Sequence, residues 1–253
     1  MTANTIKIIQ ITDTHIIDDG APSFNDFDTT ASLHQVVEKI REDEHDADCV
    51  LLTGDLVHDA TKSSYQKLAD LLSSLTTPLL SLPGNHDLPE LMDYVMGANG
   101  YDTGKIFKME PWLIILLDSC VIGEHSGDLA DSELDFLRST LESNRTSYCL
   151  IALHHHPVSV HSSWMDSMIL KNAEDFLNII DEFEHVRGII WGHIHQEFKT
   201  MRNKVCLLGS PSTCLQFKPK SDIFAVDKKP PAYRKLELLE DGTLKTEVIY
   251  LLI

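Results

Sequence analysis

Short apolar runs recur along this chain, and a polar cluster directly follows most of them. The run from Ile6 to Ile11 ends at residues 12–15, and the run from Leu79 to Leu82 ends just before Gly84-Asn85-His86-Asp87. Such runs are typical of buried strands. Segments of helical spacing, such as Leu33 to Ile40, lie between them. Strand, helix and strand in alternation predict an α/β fold built on βαβ units.

The same alternation continues through the middle of the chain. Further strands are predicted at 49–52, 112–117, 148–153, 186–191 and 205–208, with helices near 65–72, 91–96, 134–141 and 173–180. The C-terminal part differs, because apolar and charged residues alternate on both sides of Asp241-Gly242. That pattern predicts an antiparallel β-hairpin. No linker or repeat interrupts the chain, so we expect one domain over residues 1–253.

Charge and cysteine content limit the partners of this chain. Its 253 residues include 21 Lys and Arg against 39 Asp and Glu, a net charge of −18. Nucleic-acid binding relies on basic side chains that neutralise phosphates, so a nucleic-acid partner is disfavoured. A small anionic substrate remains compatible if metal cations supply positive charge.

The cysteines and the length of the apolar runs predict where the protein is located. The five cysteines show no Cys-x-x-Cys spacing, and several lie in apolar runs, which favours a reducing compartment. The sequence shows no signal-peptide pattern and no apolar run approaching ~20 residues. We therefore expect a cytoplasmic protein without a membrane partner.

Six predicted strands end in side chains that could bind a metal ion. These are Asp13 with His15, Asp55, Asn85 with His86, Asp118, the histidines at 154–156, and His193 with His195. Each could be an ordinary turn residue, but strand ends of a parallel sheet meet at one edge. Carboxylate, amide and imidazole groups suit Mn²⁺, Fe²⁺ or Zn²⁺, and the lack of thiolates disfavours a structural zinc site. Seven or eight ligands exceed the needs of one ion, so two ions bridged by a carboxylate are predicted.

Five of these motifs resemble, in order, the signature of the calcineurin-like metallophosphoesterases. They are Asp13-Thr14-His15, Gly54-Asp55, Gly84-Asn85-His86-Asp87, the histidine before Pro157, and Gly192-His193-Ile194-His195. Residues 163–166 and 211–219 extend the resemblance to the bacterial class III cyclic-AMP phosphodiesterases, over nearly the whole chain. The resemblance implies an αββα sandwich of two mixed sheets flanked by helices.

The resemblance also implies a role for each ligand. The first metal would be bound by Asp13, His15 and His195; the second by Asn85, His193 and one histidine of the triplet; Asp55 would bridge both. In the triplet, His154 comes directly off the strand, whereas His155 would match a His-x-Pro spacing. We expect His154. The metals would be Fe, Mn or Zn, two per chain.

The implied reaction is hydrolysis of 3′,5′-cyclic AMP to 5′-AMP by a metal-bridging hydroxide. His86 would assist the leaving ribose oxygen, and substrate would also contact His15, Asp55, Asn85 and His195. Other phosphodiesters (a glycerophosphodiester or a 2′,3′-cyclic nucleotide), a phosphomonoester, or a non-catalytic scaffold are the alternatives. The complete ligand set, with His86, disfavours the scaffold.

Several residues keep two interpretations. Asp87 could orient His86 or cap the next segment, and Trp164 could stack on a base or pack in the interior. Asp118 is expected to serve a turn, with a position behind the metal ligands as the alternative. The remaining candidates are expected in loops, with substrate contact as the alternative: His58, His125, His161 and residues 210–213.

Overall fold

The computed structural model describes residues 5–18 and 24–251, and within them the chain forms two sheets with helices on their outer faces. In chain order the elements are β1 (Ile6–Ile11), α1 (Thr29–Asp43), β2 (Cys49–Thr53), α2 (Lys62–Leu72), β3 (Leu79–Leu82), α3 (Pro89–Ala98), β4 (Ile106–Met109), β5 (Trp112–Leu116), α4 (Asp131–Ser143), β6 (Tyr148–Ala152), α5 (Ser163–Asp166), α6 (Ala173–Asp181), β7 (Val186–Trp191), β8 (Phe198–Arg202), β9 (Val205–Gly209), β10 (Ala232–Leu238) and β11 (Leu244–Tyr250).

Both sheets are mixed. The first has the order β11-β10-β1-β2-β3, in which β1, β2 and β3 run parallel and the β10–β11 hairpin is antiparallel to β1. The second has the order β4-β5-β6-β7-β9-β8, with a parallel centre from β5 to β9 and an antiparallel strand at each edge. The α/β fold and the C-terminal hairpin are confirmed.

The core has three layers because successive strand residues point to opposite faces of a sheet. Ile8 of β1 lies in a cluster that joins the two sheets and includes Ile114 and Leu150. Its neighbour Ile9 points the other way, into the layer that α1, α2 and α3 cover. Helices α4 and α6 cover the outer face of the second sheet. This arrangement confirms the αββα sandwich, and the single domain stays a prediction.

The short edge strands β4 and β8 were not predicted from the sequence, nor was the four-residue helix α5. Residues of β4 and β8 are half-buried or exposed, so they lack the continuous apolar run that marks the central strands. None of the helices that the structure describes combines the length and the apolar character needed to cross a membrane.

The two sheets are joined by hydrogen bonds at the edge where β1, β2, β3, β6, β7 and β9 end. The buried amide of Gln10 in β1 donates to the carbonyl of Trp191 in β7 over 3.2 Å. The backbone N–H of Thr213 donates to the carbonyl of Thr12 over 3.1 Å. These contacts hold the polar strand ends of both sheets together.

Candidate metal centre

Five of the predicted ligands have a left-handed backbone conformation, which residues with a Cβ seldom adopt. They are Asp13 (φ 53°), His15 (φ 44°), Asp55 (φ 50°), His193 (φ 65°) and His195 (φ 44°). Each such residue costs on the order of 1–3 kcal/mol and persists only where the surrounding structure holds it. The sharp turns after β1, β2 and β7 direct these side chains toward one place.

Two glycines allow the strand ends to approach each other. A Cβ on Gly54, whose φ is +89°, would lie 2.4 Å from Nδ1 of His154. A Cβ on Gly192 would lie 2.0 Å from Oγ1 of Thr12 and 2.7 Å from a carboxylate oxygen of Asp13. The glycines of the Gly-Asp and Gly-His motifs are therefore required by the contact between the two sheets.

One group of ligand atoms comes from Asp13, His15 and His195, all of them buried. Nε2 of His195 lies 3.3 Å from Oδ1 of Asp13 and 3.2 Å from Nε2 of His15. Two imidazole nitrogens thus converge beside a carboxylate, which is the donor arrangement that a divalent transition metal takes.

A second group of ligand atoms comes from His154, His155 and His193, all of them buried, and Asp55 lies between His154 of this group and His15 of the first. Oδ2 of Asp55 is 3.4 Å from Nε2 of His154 and 3.7 Å from Nε2 of His15. A single carboxylate oxygen is therefore close to ligand nitrogens of both groups.

Buried atoms without hydrogen bonds test whether these residues fit metal ions. Among the described residues, Oδ1 of Asn85, Nε2 of His154 and Nε2 of His193 are buried and have no hydrogen-bond partner. A buried polar atom left unsatisfied costs roughly 1–3 kcal/mol. Coordination to a cation would satisfy these lone pairs, so the donor set fits the metals that the sequence predicts.

Burial and charge set the protonation of the ligands. Burial lowers the pKa of both His15 and His193 well below the usual value, which leaves neutral rings with a free lone pair. Burial acts the same way on His154, but the Asp55 carboxylate outweighs it and raises the pKa of His154 to about 9. Burial likewise opposes ionisation of Asp55, yet His154 holds the pKa of Asp55 well below its usual value. A metal bound here would displace a proton from His154.

Two ligand histidines are oriented by backbone carbonyls. Nδ1 of His154 lies 2.9 Å from the carbonyl oxygen of Thr53, and Nδ1 of His195 lies 2.9 Å from that of Leu215. A carbonyl only accepts, so each Nδ1 carries a hydrogen, and each Nε2 is the nitrogen that would give its lone pair to a bound metal. Such outer partners fix the tautomer of metal-binding histidines.

The histidine triplet divides its members among different contacts. Within the described parts of the chain, His154 groups with Asp13 and Asp55, whereas His155 groups only with His154 and His193. Nδ1 of His155 is 2.8 Å from Oγ of Ser119. These contacts support His154 as the ligand.

Asp87 serves neither of its two expected roles, which were to orient His86 and to cap the next segment. Helix α3 has Leu88 as its N-cap and no side-chain cap. The buried Asp87 carboxylate instead accepts hydrogen bonds from the backbone of the turns after β2 and β3 and from Tyr65: Gly84 N at 2.8 Å, Leu56 N at 3.0 Å, Val57 N at 3.3 Å and Tyr65 OH at 2.9 Å. Asp87 therefore joins the turn that carries Asp55 to the turn that carries Asn85 and His86.

His86 lies next to this hydrogen-bond network, at the border of the site. Its backbone N–H donates to Oδ1 of Asp55 over 2.8 Å, and its Nδ1 lies 3.3 Å from the carbonyl oxygen of His58. His86 is half-buried and lies beside His15, with ring centroids 4.9 Å apart.

The remaining candidates occupy outer positions. Oδ1 of Asp118 accepts from the backbone of Cys120, as expected of a turn residue. Residues 210–213 connect the sheets, since Oγ of Ser212 donates to the carbonyl of Asp13. Trp164 is half-buried against Phe217 and Phe224. His125 and His161 are exposed, with His125 6.2 Å from His86 between ring centroids.

Sequence reasoning missed three aromatic contacts with the site. Phe217 stacks on His195 with centroids 4.0 Å apart, and Phe24 stacks on His15 at 4.5 Å. The ring of His58 stacks on His86 at 4.7 Å. Phe217 lies within the 211–219 stretch that carried the family resemblance, which was the available signal for it.

Comparison with known proteins agrees with this geometry. A family model described as calcineurin-like phosphoesterase matches residues 6–197. A Vibrio vulnificus protein named 3′,5′-cyclic adenosine monophosphate phosphodiesterase CpdA is 39% identical, over 98% of this chain and 91% of that protein. A Nostoc protein named 3′,5′-cyclic-nucleotide phosphodiesterase is 39% identical, over 96% and 91%. A solved dimetal phosphatase from Danio rerio, 17% identical, shares the fold with a TM-score of 0.68 over 97% of this chain and 98% of that one.

Proposed function

Because this chain belongs to the calcineurin-like phosphoesterase family and is a metal-dependent phosphodiesterase, we propose that it hydrolyses 3′,5′-cyclic AMP to 5′-AMP. Cyclic AMP as the substrate is taken from the name of the Vibrio vulnificus relative, and the name of the Nostoc relative supports a 3′,5′-cyclic nucleotide; both are 39% identical over nearly the whole chain. The observation that carries the reaction type is the position of Asp55 Oδ2, within 3.7 Å of ligand nitrogens in both groups.

The proposed centre holds two divalent ions, Fe, Mn or Zn. Asp13, His15 and His195 would hold the first ion, Asn85, His154 and His193 would hold the second, and Asp55 would serve both. The first set is supported by the convergence of two Nε2 atoms on a carboxylate, and the second by three buried atoms that lack hydrogen bonds.

When bound, such ions supply a water acidic enough to attack phosphorus near neutral pH and positive charge beside the phosphoryl oxygens. The chain itself contributes orientation. The carbonyls of Thr53 and Leu215 hold two ligand rings in one tautomer, and Asp87 holds the two turns in register. Bound metal ions would supply the positive charge with which a protein of net charge −18 can bind an anionic substrate.

His86 assists the leaving oxygen in this proposal. Because the carbonyl of His58 accepts the hydrogen of Nδ1, the opposite nitrogen, Nε2, is the one available to substrate. The proton that Nε2 gives to the ribose 3′-oxygen comes from the imidazolium form of the ring. General acid catalysis of this kind contributes about 10²–10⁴ in rate.

Side-by-side hydrolysis tests the proposed substrate. Metal-reconstituted protein is assayed with 3′,5′-cyclic AMP, 3′,5′-cyclic GMP, 2′,3′-cyclic AMP, a glycerophosphodiester and a phosphomonoester. We expect the highest kcat/KM with 3′,5′-cyclic AMP and 5′-AMP as the product. Negligible turnover of cyclic AMP beside good turnover of another ester would overturn the substrate, and absence of turnover with every ester would favour a scaffold.

A further inference from the structure

The partner of Nδ1, the ring nitrogen that faces away from the proposed metals, differs between His15 and the ligand histidines His154 and His195. His154 and His195 each face a backbone carbonyl, which no side-chain substitution removes. His15 instead faces a second imidazole, since its Nδ1 lies 3.3 Å from Nδ1 of His58.

The backbone of His58 is held on both sides. Its N–H donates to the carbonyl of Ile16 over 2.9 Å, beside the bridge between Ile16 and Val57. Its carbonyl oxygen lies 3.3 Å from Nδ1 of His86. Residue 58 is thereby fixed relative to the turn that carries His15 and to the ring of His86.

The ring of His58 lies against both neighbours. It stacks on His86, with centroids 4.7 Å apart and planes 22° apart, and it meets His15 edge-on at 5.4 Å. His58 is half-buried, so its ring is enclosed on the side of the site. One side chain therefore touches a proposed metal ligand and the proposed acid.

We propose that His58 is a positioning residue that orients His15 through a hydrogen bond and His86 through ring stacking. The inference rests on the proposed function in that His15 binds a metal and His86 meets the leaving group. Nε2 of His15 lies near Asp55 and His195; as a metal ligand it would present its lone pair there, and Nδ1 would carry the hydrogen. Nδ1 of His58 then accepts that hydrogen, and the hydrogen of His58 is on its Nε2.

Two substitutions separate the two contacts. His58→Phe keeps a flat ring against His86 but offers no acceptor to His15. His58→Asn keeps an acceptor near the position of Nδ1 but removes the ring. His34→Phe, on the exposed side of α1, is the matched control.

Metal affinity is the first measurement. If His58 had a merely structural role, His58→Phe and His58→Asn would not differ in Mn²⁺ affinity. Metal-free protein is titrated with Mn²⁺ by calorimetry, and electron paramagnetic resonance counts coupled metal pairs. We expect His58→Phe to lose roughly 10–100-fold in Mn²⁺ affinity at one of two sites, the usual effect of removing an outer partner. His58→Asn should stay close to wild type.

Turnover at saturating Mn²⁺ is the second measurement, with KM and kcat separated. We expect His58→Asn to lose roughly threefold to tenfold in kcat, the rate equivalent of one lost ring pair, with KM little changed. His58→Phe should recover most of the wild-type kcat once Mn²⁺ is saturating.

Wild-type Mn²⁺ affinity in His58→Phe would overturn the hydrogen-bond role, and equal losses in both variants and both measurements would overturn the positioning of His86. Should His58→Phe fail to fold, as judged by thermal unfolding, His58→Leu carries the same expectation for Mn²⁺ affinity. The titration needs no substrate. The wild-type protein could fail to hydrolyse cyclic AMP while His58→Phe still binds Mn²⁺ more weakly than wild type. That combination would refute the proposed substrate and leave the role of His58 supported.

Discussion

The two sheets contribute different chemistry to the edge where they meet. The strand ends of the first sheet carry both carboxylates and the amide among the proposed ligands, with one imidazole: Asp13, His15, Asp55 and Asn85. The strand ends of the second sheet carry imidazoles alone: His154, His193 and His195. Negative charge therefore comes from one sheet, whereas the other contributes only imidazole nitrogens.

The support behind these ligands also differs. In the first sheet, Asp87 and Tyr65 bind the turns to each other through buried hydrogen bonds. In the second sheet, the ring of His154 is oriented by Thr53, a residue of the first sheet. The second sheet thus depends on the first for its geometry, and each proposed metal takes ligands from both. The following predictions test this dependence.

Asp55→Asn should have the largest effect, because it removes the carboxylate whose Oδ2 lies 3.7 Å from Nε2 of His15 and 3.4 Å from Nε2 of His154. Loss of several kcal/mol of charge stabilisation lowers kcat/KM by on the order of 10³-fold or more. Steady-state kinetics and metal content measure it. Asp135→Asn, exposed on α4, is the control, and normal turnover by Asp55→Asn would contradict the bridging role.

His86→Ala should abolish most turnover while both metals stay bound, because His86 lies outside the proposed ligand sets. We expect kcat to fall by about 10²–10⁴ with Mn²⁺ stoichiometry unchanged. Near-normal kcat would remove His86 from the mechanism, and loss of metal would make His86 a ligand.

Metal removal should lower the Tm of the protein, because each proposed metal takes ligands from both sheets. An ion that binds only the folded protein, at a hundred times its Kd, stabilises it by about 2.7 kcal/mol, or roughly 5–10 °C in Tm for a chain of this size. Differential scanning calorimetry with chelator and with Mn²⁺ measures the shift. Asp55→Asn should show a smaller shift, and an equal shift in that variant would place the metal elsewhere.

Tyr65→Phe should have the smallest effect on turnover and reports on the support within the first sheet. It removes the hydroxyl that donates to Asp87 over 2.9 Å and accepts from Leu88 N over 3.0 Å. We expect the free energy of unfolding to fall by about 1–2 kcal/mol and kcat to fall severalfold.

Tyr233→Phe is the matched control, since that buried hydroxyl lies 3.0 Å from Oε1 of Glu44, in the layer beneath α1. It should lose similar stability with unchanged kcat. If the two variants had the same kcat, the Asp87 network would serve stability alone.

The fold was predictable where strands are buried on both faces. Strands such as β2 and β5 are continuous apolar runs with every residue buried, and the sequence marks them plainly. Strand β8 was missed because its residues are half-buried or exposed, so its pairing with β9 decides its conformation. Edge strands owe their structure to a neighbour rather than to their own pattern.

The candidate site was predictable in its residue types and not in its contacts. The motifs supplied the proposed ligands, since each follows a strand, and the structure brings these residues together. They did not disclose that Asp87 binds the backbone of residues 56 and 57, because that contact joins two separate turns. The left-handed backbone at Asp13 and His15 was equally hidden, since neither residue is glycine. Contacts across two sheets depend on how the sheets pack.

The left-handed turns at the ligands set a limit on how this protein can be made more robust. Glycine adopts that conformation at almost no cost, so glycine at position 13, 15, 55, 193 or 195 would release local strain. The same change would delete a proposed ligand. Selection for heat resistance in metal-free protein would therefore act against the metal centre, and a library screened for stable variants needs a simultaneous screen for bound metal.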